Sequence, residues 1–429
     1  MVFNTRSRNK RYNKRFLLHF LSQRREFRSM NPGLHQLQPY PFERMRALFA
    51  DVKPDDQYSP IVLSIGEPKH PTPDFIKQAL SANLEKLANY PLTKGSVELR
   101  RAIGDYLTRR YTLGQLDIET QILPVNGTRE ALFAVAQCFV ESNSPVLMPN
   151  PFYQIYEGAA LLAGAKPVYL NTTAENNFLP DIESVTPEQW QQCQLIYLCS
   201  PGNPSGTVAP KALLQRLIEL SDEYNFTIVS DECYAEIYQT DQIPPIGLLE
   251  VAQSMGRTDY KNCLVFHSLS KRSNAPGLRS GFVAGDATLI STFLRYRTYH
   301  GCAMSLPTQA ASTAAWNDDE HVKENRALYT EKFKTVIDIL SPVVGVLNPD
   351  AGFYLWLNIS GATKQENDEQ FAKRLYQQYN VTVLPGSYLS RESHGINPGT
   401  GFIRIALVAD LEQCVDAATR IRDCLNQTV

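Results

Sequence analysis

Short apolar runs alternate with helical patterns from about residue 75 onward, and this alternation limits the fold more than any other feature. The runs at 145–148, 195–199, 226–229, 263–266 and 282–284 have the length of buried strands. Helical spacing appears between them, as at Leu213, Leu214, Leu217 and Leu220. Strands that alternate with helices, without strict polar alternation, form mostly parallel sheets covered on both faces. We therefore predict an α/β fold whose functional groups lie at the carboxyl ends of the strands.

The chain divides into regions of different pattern. A length of 429 residues favours two domains. Apolar runs at 343–347, 353–357, 381–384 and 402–407, with helices between them, predict a smaller α+β unit near the C-terminus. We predict a basic, disordered extension at 1–29, an N-terminal arm and part of the small domain at 30–74, a large domain at 75–315 and a small domain at 316–429.

Charge and cysteine content exclude several classes of function. Residues 1–29 contain nine basic residues and one acid, a pattern that fits a disordered extension before Met30 better than a signal or transit peptide. The remainder has 33 Lys and Arg against 43 Asp and Glu, which argues against nucleic-acid binding. No apolar run is long enough to cross a bilayer. Eight scattered cysteines without a C-x-x-C pair favour reduced thiols, a cytoplasmic protein and no metal site.

A lysine follows the apolar run 263–266, in Ser268-Leu269-Ser270-Lys271, and Arg279 comes eight residues later. Lysine is the side chain that forms a Schiff base with an aldehyde cofactor. Serine hydroxyls and a guanidinium are suitable ligands for a phosphate dianion. The pattern therefore indicates a covalent anchor beside a phosphate pocket.

Four further motifs stand at the ends of predicted elements. Asn126-Gly127-Thr128-Arg129 precedes a helix, so it is either an anion site or an ordinary helix cap. The turn 200–206, S-P-G-N-P-S-G, can aim Asn203 at a ligand. Asp231 ends a buried strand, where it needs a cationic partner unless it caps a helix. Arg404 lies in the apolar run 402–407 and needs a carboxylate, either from the protein or from a substrate.

These motifs occur in one order along the chain: G-T-R, P-G-N-P-S-G, D-E-x-Y, S-x-S-K and a downstream arginine. In this order the chain resembles the class I/II aminotransferases among the fold-type I pyridoxal phosphate enzymes, from Met30 to the end. The resemblance implies a three-layer αβα large domain with a mostly parallel sheet, and a smaller α+β domain. It also implies pyridoxal 5'-phosphate as cofactor, amino-acid and 2-oxo-acid substrates, and a homodimer with shared active sites.

The resemblance also implies a role for each motif residue. Lys271 would hold the cofactor as a Schiff base and move protons, and Asp231 would keep the pyridine nitrogen protonated. Arg404 would bind the substrate α-carboxylate, with Gly66 and Asn203 beside it. The remaining implied contacts are with the cofactor: Tyr153 stacks on the ring, Asn203 and Tyr234 bond its phenolic oxygen, Gly127, Thr128, Arg129, Ser268, Ser270 and Arg279 bind its phosphate, and Tyr90 reaches the phosphate of the neighbouring subunit.

The stretches 37–43, 66–73, 271–282 and 296–305 resemble the proteobacterial succinyldiaminopimelate transaminases. This resemblance implies ping-pong amino transfer between N-succinyl-LL-2,6-diaminopimelate and 2-oxoglutarate, in lysine biosynthesis. The arginine that binds the distal carboxylate in aspartate-type members has no clear match, because His300 falls near that place. Arg295 and Arg297 either bind a distal acid or form helix-surface ion pairs, and we favour the ion pairs. Lys69 and His70 stay open.

Three alternative functions are considered for a chain with these motifs. The main alternative is an aminotransferase for aspartate, alanine or an aromatic amino acid. A pyridoxal phosphate-dependent lyase on the same scaffold would form product without a 2-oxo-acid acceptor. A non-enzymatic regulator would need a DNA-binding module, for which residues 1–29 are too short.

Overall fold

The computed structural model describes residues 31–363 and 366–427, so the predictions for residues 1–29 and for Met30 lie outside the described residues. Strands and helices alternate along the chain as the sequence predicts. The strands are β1 Ile61–Val62, β2 Ile122–Val125, β3 Pro145–Asn150, β4 Lys166–Asn171, β5 Leu195–Cys199, β6 Thr227–Asp231, β7 Cys263–Ser268, β8 Gly281–Gly285, β9 Tyr354–Asn358, β10 Val381–Thr382, β11 Leu384–Pro385 and β12 Phe402–Ala406.

Helices cover the sheets and connect them. Their first turns are stabilised by side-chain caps at several places, as where Ser96 accepts from the amide of Leu99 and Asp286 from that of Leu289. The helices are α1 Pro41–Leu48, α2 Asp74–Ser81, α3 Val97–Tyr111, α4 Thr128–Phe139, α5 Ile155–Leu162, α6 Pro187–Gln192, α7 Lys211–Tyr224, α8 Leu248–Ser254, α9 Leu269–Arg272, α10 Ala287–His300, α11 Leu306–Trp316, α12 Glu320–Leu340, α13 Asp368–Tyr379 and α14 Leu411–Asn426.

A seven-stranded sheet has the order β2-β8-β7-β6-β5-β3-β4. Neighbours from β7 to β4 run parallel, whereas β8 is antiparallel to both β7 and β2. Successive residues of β6 enter different cores: Ile228 packs with α3 and α7, and Val229 packs with α4. Because both faces are covered, the strands are apolar without alternation. The predicted α/β fold with a mostly parallel sheet is confirmed.

The C-terminal part is built on a three-stranded antiparallel sheet, β11-β12-β9, packed against α12, α13 and α14. The N-terminal segment joins this core, because β1 pairs in parallel with β10 and Ile61 lies opposite Val381. The positions of the domain boundaries stay a prediction.

The strand predictions differ from the structure in three ways. Residues 343–347 form no strand, because the amides of Val343 and Val344 donate to the carbonyl oxygen of Leu340 and extend the end of α12 as a turn. The predicted strand 381–384 is two short strands, since β10 pairs with β1 whereas β11 pairs with β12. Strands β1 and β4 were not predicted, since β1 has only two residues and β4 is a half-exposed edge strand that begins with Lys166 and Pro167.

None of the described helices has both the length and the apolar composition needed to cross a membrane.

Candidate active site

One cavity of about 420 Å³ opens at the carboxyl ends of β5, β6 and β7, where the sequence predicts function. It also receives the first turn of α4, the segment around Gly66, and β12. Most of the predicted site residues line it: Gly66, Thr128, Arg129, Tyr153, Asn203, Asp231, Tyr234, Ser268, Ser270, Lys271, Arg279 and Arg404. Gly127 is adjacent to this set, and Tyr90 does not line the cavity.

Lys271 lies in the short helix α9, which begins directly after β7. Ser268 caps this helix, because its hydroxyl accepts from the amide of Ser270 at 3.1 Å. The Lys271 amine donates to the carbonyl oxygen of Gly66 at 2.6 Å. Burial lowers the pKa of this amine to about 8. About a tenth of the amine is therefore neutral, and nucleophilic, at pH 7, far more than for an exposed lysine.

Asp231 is a buried carboxylate, 4% exposed, at the end of β6. The hydroxyl of Tyr156 donates to it at 2.7 Å and the amide of Cys233 at 3.3 Å. No helix begins at Asp231, so the capping alternative is wrong. It forms no ion pair within the described part of the chain, and burial raises its pKa. A buried carboxylate of this kind is a suitable partner for a protonated pyridine nitrogen.

The anion site is formed by backbone and side chains around the first turn of α4. Gly127 has φ +85°, and a Cβ there would collide with the guanidinium of Arg279. Glycine at this position thus lets the Arg279 guanidinium lie against the start of α4, and helix N-termini bind phosphate. Thr128, Ser268 and Ser270 line the same side of the cavity with hydroxyl groups. The residue types fit the phosphate of pyridoxal 5'-phosphate.

Arg404 is 4% exposed and has no carboxylate partner among the described residues. Its Nη1 donates to Asn203 Oδ1 at 2.9 Å and its Nη2 to the carbonyl oxygen of Ser64 at 2.8 Å. Its guanidinium carbon lies 4.3 Å from the ring centroid of Tyr354, and its Nε has no hydrogen-bond partner. The protein therefore does not supply the carboxylate that Arg404 needs, and a substrate can.

Two of the predicted aromatic residues differ in their surroundings. Tyr234 is buried and shares a hydrogen bond of 3.0 Å with the hydroxyl of Tyr354. Tyr153 is half-buried and lies edge-on to Tyr156, with the ring centroids 5.8 Å apart. Tyr90, in contrast, is fully exposed, and so to a large extent are the nearby apolar residues Leu87 and Leu92. Its predicted contact with a neighbouring subunit stays a prediction.

Sequence reasoning missed three tyrosines of the site. Tyr40 lines the cavity from the start of α1, and the guanidinium of Arg129 lies 5.6 Å from its ring centroid. Tyr156, in the first turn of α5, bonds Asp231, and no local sequence pattern indicates this contact. Tyr354 lies so close to Gly66 that a Cβ on Gly66 would collide with its hydroxyl.

The open residues of the sequence analysis lie outside the cavity. Arg297 is buried at 1% exposure and holds Glu130 with two hydrogen bonds of 2.7 Å. The predicted ion pair is thus correct, but it is buried rather than on the helix surface. His300 contacts Cys302, and Lys69 pairs with Glu67 at 2.7 Å. The described residues contain no group of three or more His, Cys, Asp or Glu able to hold a metal ion.

Comparison with known proteins shows the family of this chain. The family model for aminotransferase class I and II matches residues 58–421. An LL-diaminopimelate aminotransferase from Desulforudis audaxviator is 32% identical over 400 residues, which cover 92% of this chain and 97% of the relative. The crystal structure of an aminotransferase from Neisseria meningitidis Z2491 is 48% identical, with a TM-score of 0.88, and the match covers 93% of this chain and 100% of that one. The aminotransferase AspB from Helicobacter pylori 26695 is 37% identical, with a TM-score of 0.83 and coverage of 91% and 99%.

The chain belongs to the class I and II aminotransferases. These enzymes use pyridoxal 5'-phosphate, so the cofactor expected from the sequence is confirmed. Its substrates are an amino acid and a 2-oxo acid.

Proposed function

We propose that this aminotransferase moves an amino group between N-succinyl-LL-2,6-diaminopimelate and 2-oxoglutarate. The observation that carries the proposal is a cation of the cavity beyond Lys271, Arg279 and Arg404. Arg129 lines the cavity, is exposed and forms no ion pair within the described ranges; it contacts the ring of Tyr40 instead. With Arg279 assigned to the phosphate and Arg404 to the α-carboxylate, Arg129 suits a second carboxylate at the other end of the substrate. A relative named LL-diaminopimelate aminotransferase supports a substrate of this type.

The apolar part of the cavity lining favours the succinylated form over free diaminopimelate. Pro41, Phe42, Ile65, Leu384 and Leu389 line the cavity with apolar groups, which suit the methylene groups of a succinyl chain. Free diaminopimelate has a distal ammonium group. The acidic residues that line the cavity are Asp231, which is assigned to the cofactor, and Glu67, which is already paired with Lys69. Succinylation replaces that ammonium with a neutral amide.

The proposed mechanism assigns each step to a side chain. When bound, pyridoxal 5'-phosphate supplies the aldehyde that takes up the amino group and a ring that accepts the charge released at Cα. Arg404 binds and orients the α-carboxylate, while the Lys271 amine takes the proton from Cα and returns it during transfer. Asp231 holds a proton at the ring nitrogen, and Tyr156 keeps Asp231 in place. The hydroxyls of Thr128, Ser268 and Ser270, the amides at Gly127 and Arg129, and the guanidinium of Arg279 hold the phosphate.

We also propose a homodimer in which Tyr90 completes the site of the partner subunit. The support is the exposed apolar segment around Tyr90, with Leu87 65% and Leu92 75% exposed. Sedimentation of wild-type protein should give a dimer, and Tyr90→Ala should weaken cofactor binding without loss of fold. A fully active monomer contradicts this part of the proposal.

A transamination assay tests the substrate. The enzyme is given 2-oxoglutarate with succinyldiaminopimelate, LL-diaminopimelate, aspartate or alanine, and kcat/KM is compared. We expect succinyldiaminopimelate to be the best donor. In Arg129→Gln, kcat/KM should fall by roughly 10- to 150-fold for this donor and little for alanine, since one charged hydrogen bond is worth about 1.5–3 kcal/mol. Arg295→Gln, on an exposed face of α10, is the matched control. Preference for aspartate, or equal loss for alanine, rejects the assignment.

A further inference from the structure

Residues 64–70 form a strap that crosses the cavity and contacts two of its functional cations. The carbonyl oxygen of Ser64 accepts from Arg404 at 2.8 Å, and that of Gly66 accepts from the Lys271 amine at 2.6 Å. Those contacts are made by backbone atoms. The geometry of both cations therefore depends on what holds the strap in place.

The far end of the strap is held by His70, which bridges two residues of α12. His70 Nδ1 lies 2.8 Å from Asn325 Oδ1, and Lys332 Nζ lies 2.7 Å from His70 Nε2. Asn325 Oδ1 also accepts a hydrogen bond from the side-chain amide of Asn274, Nδ2, at 3.0 Å. An oxygen acceptor at Asn325 requires a hydrogen on Nδ1 of His70. Nε2 is then the acceptor for Lys332, so the bridge needs a neutral imidazole.

The same bridge reaches the chain that carries the catalytic amine. Asn274 lies three residues after Lys271, and its backbone carbonyl oxygen accepts from the hydroxyl of Thr72 at 2.5 Å. Asn325 Oδ1 thus accepts two hydrogen bonds. One comes from His70 of the strap, and the other comes from Asn274, close to Lys271. Asn325 and Lys332 are 5% and 3% exposed, so water does not replace these bonds readily.

We propose that His70, as a neutral imidazole held by Asn325 and Lys332, latches the strap over Lys271 and is a positioning residue for the catalytic amine and for Arg404. Protonation of His70 removes the acceptor for Lys332 and places two cations 2.7 Å apart. The strap then detaches from α12. The carbonyl oxygens of Gly66 and Ser64 lose their hydrogen bonds to Lys271 and Arg404. The inference rests on the proposed role of Lys271 but is independent of which donor the enzyme uses.

The surroundings of His70 give the direction of its pH response. The groups that face it are Asn325, Lys332 and the ring of Tyr329, whose centroid lies 4.8 Å from that of the imidazole. Burial lowers the pKa of His70, and the charge of Lys332 lowers it further, although the bond to Asn325 opposes them. Because the pKa is lower in the folded protein, the latch is closed above the ordinary histidine range. It is lost as the pH falls through the lowered value.

Hydrogen exchange at the backbone amides of Gly66, Glu67, Lys69 and His70 tests the latch without the reaction, and it is measured on cofactor-free protein between pH 5 and 8; residue 68 is proline and has no amide hydrogen. After correction for intrinsic exchange, opening in wild type should increase by up to about tenfold per pH unit as the pH falls from the ordinary histidine range toward the lowered pKa of His70, and it should level off below that value. His70→Ala should exchange rapidly at every pH. His70→Asn keeps an amide donor for Asn325 and cannot take up a proton, so its exchange should stay slow and nearly independent of pH.

Lys332→Met gives a result that a purely structural role of His70 does not predict. Without the neighbouring cation, His70 should protonate more easily, and the midpoint of strap opening should move to higher pH. The acid limb of kcat in the loaded enzyme should move with it. Lys334→Met, an exposed lysine of the same helix, is the control and should leave the midpoint unchanged. Equal midpoints for Lys332→Met and Lys334→Met, or equal exchange in wild type and His70→Ala, overturn the proposal.

Discussion

Replacement of Arg404 by lysine tests the carboxylate site with a magnitude that follows from its hydrogen bonds. A guanidinium has five N–H donors, and two of its nitrogens already bond Asn203 and Ser64. The remaining donors, Nε among them, are enough for a carboxylate held at two points. Lysine has three donors, and the same two acceptors leave one for the substrate. Arg404→Lys thus loses about one charge-assisted hydrogen bond, worth about 1.5–3 kcal/mol.

That loss corresponds to a fall in kcat/KM of roughly 10- to 150-fold, at about 1.4 kcal/mol for each factor of ten. It should be similar for every amino-acid donor, because all of them have an α-carboxylate. Cofactor binding, followed by visible absorbance, should not change. Arg420→Lys is the control, since Arg420 is equally buried but pairs with Asp416 far from the cavity. If Arg404→Lys keeps wild-type kcat/KM, or loses cofactor as well, Arg404 does not bind the substrate as we propose.

Three further predictions concern the cofactor site. In cofactor-free protein, acylation of Lys271 by an amine reagent should reach its half-maximal rate near pH 8, the pKa set by burial, whereas exposed lysines should still be gaining reactivity at higher pH; a midpoint near 10.5 contradicts the burial argument. Because burial raises the pKa of Asp231, cofactor-free wild type loses stability as the pH rises from 3.8 through the raised value; cofactor-free Asp231→Asn should therefore melt higher than wild type at pH 8 while binding the cofactor more weakly, and a lower melting temperature rejects this reasoning. Gly127→Ala should cost about 1–2 kcal/mol of unfolding free energy and weaken cofactor binding, because of its positive φ and the collision with Arg279, whereas Gly277→Ala, whose Cβ would meet nothing within 4 Å, should do neither.

The sequence predicts the site well wherever a functional residue stands at the end of a buried strand. Asp231 and Lys271 follow β6 and β7 closely, so a strand prediction also places them at the same edge of the sheet. Tyr40 and Arg404 are different, because no local pattern shows that residues so far apart in sequence share a cavity. Their approach depends on tertiary pairing, such as that of β1 with β10. Motif order and family resemblance supply this information indirectly.

Strand predictions failed where the residue types of a segment do not match the backbone hydrogen bonds that the segment forms. Val343 and Val344 are apolar and β-branched, but their amides donate to the carbonyl oxygen of Leu340 at the end of α12 and are not available to a sheet. Lys166 and Pro167 open the edge strand β4, and neither residue type is frequent in strands. The direct bond between Tyr156 and Asp231 was also beyond the sequence, since it needs the packing of α5 over β6.

The parallel pairing of β1 with β10 has a consequence for synthesis of the chain. Ile61 is made 320 residues before its partner Val381, a separation that takes about 16–64 s at the usual 5–20 residues per second. Until then Ile61 and Leu63, both buried in the finished protein, have no sheet or core to enter. Ser64 waits longer still for its partner, because Arg404 is 340 residues further along the chain. The nascent enzyme therefore leaves Ile61 and Leu63 without their final partners during this interval, and its carboxylate site forms only after Arg404 has been made.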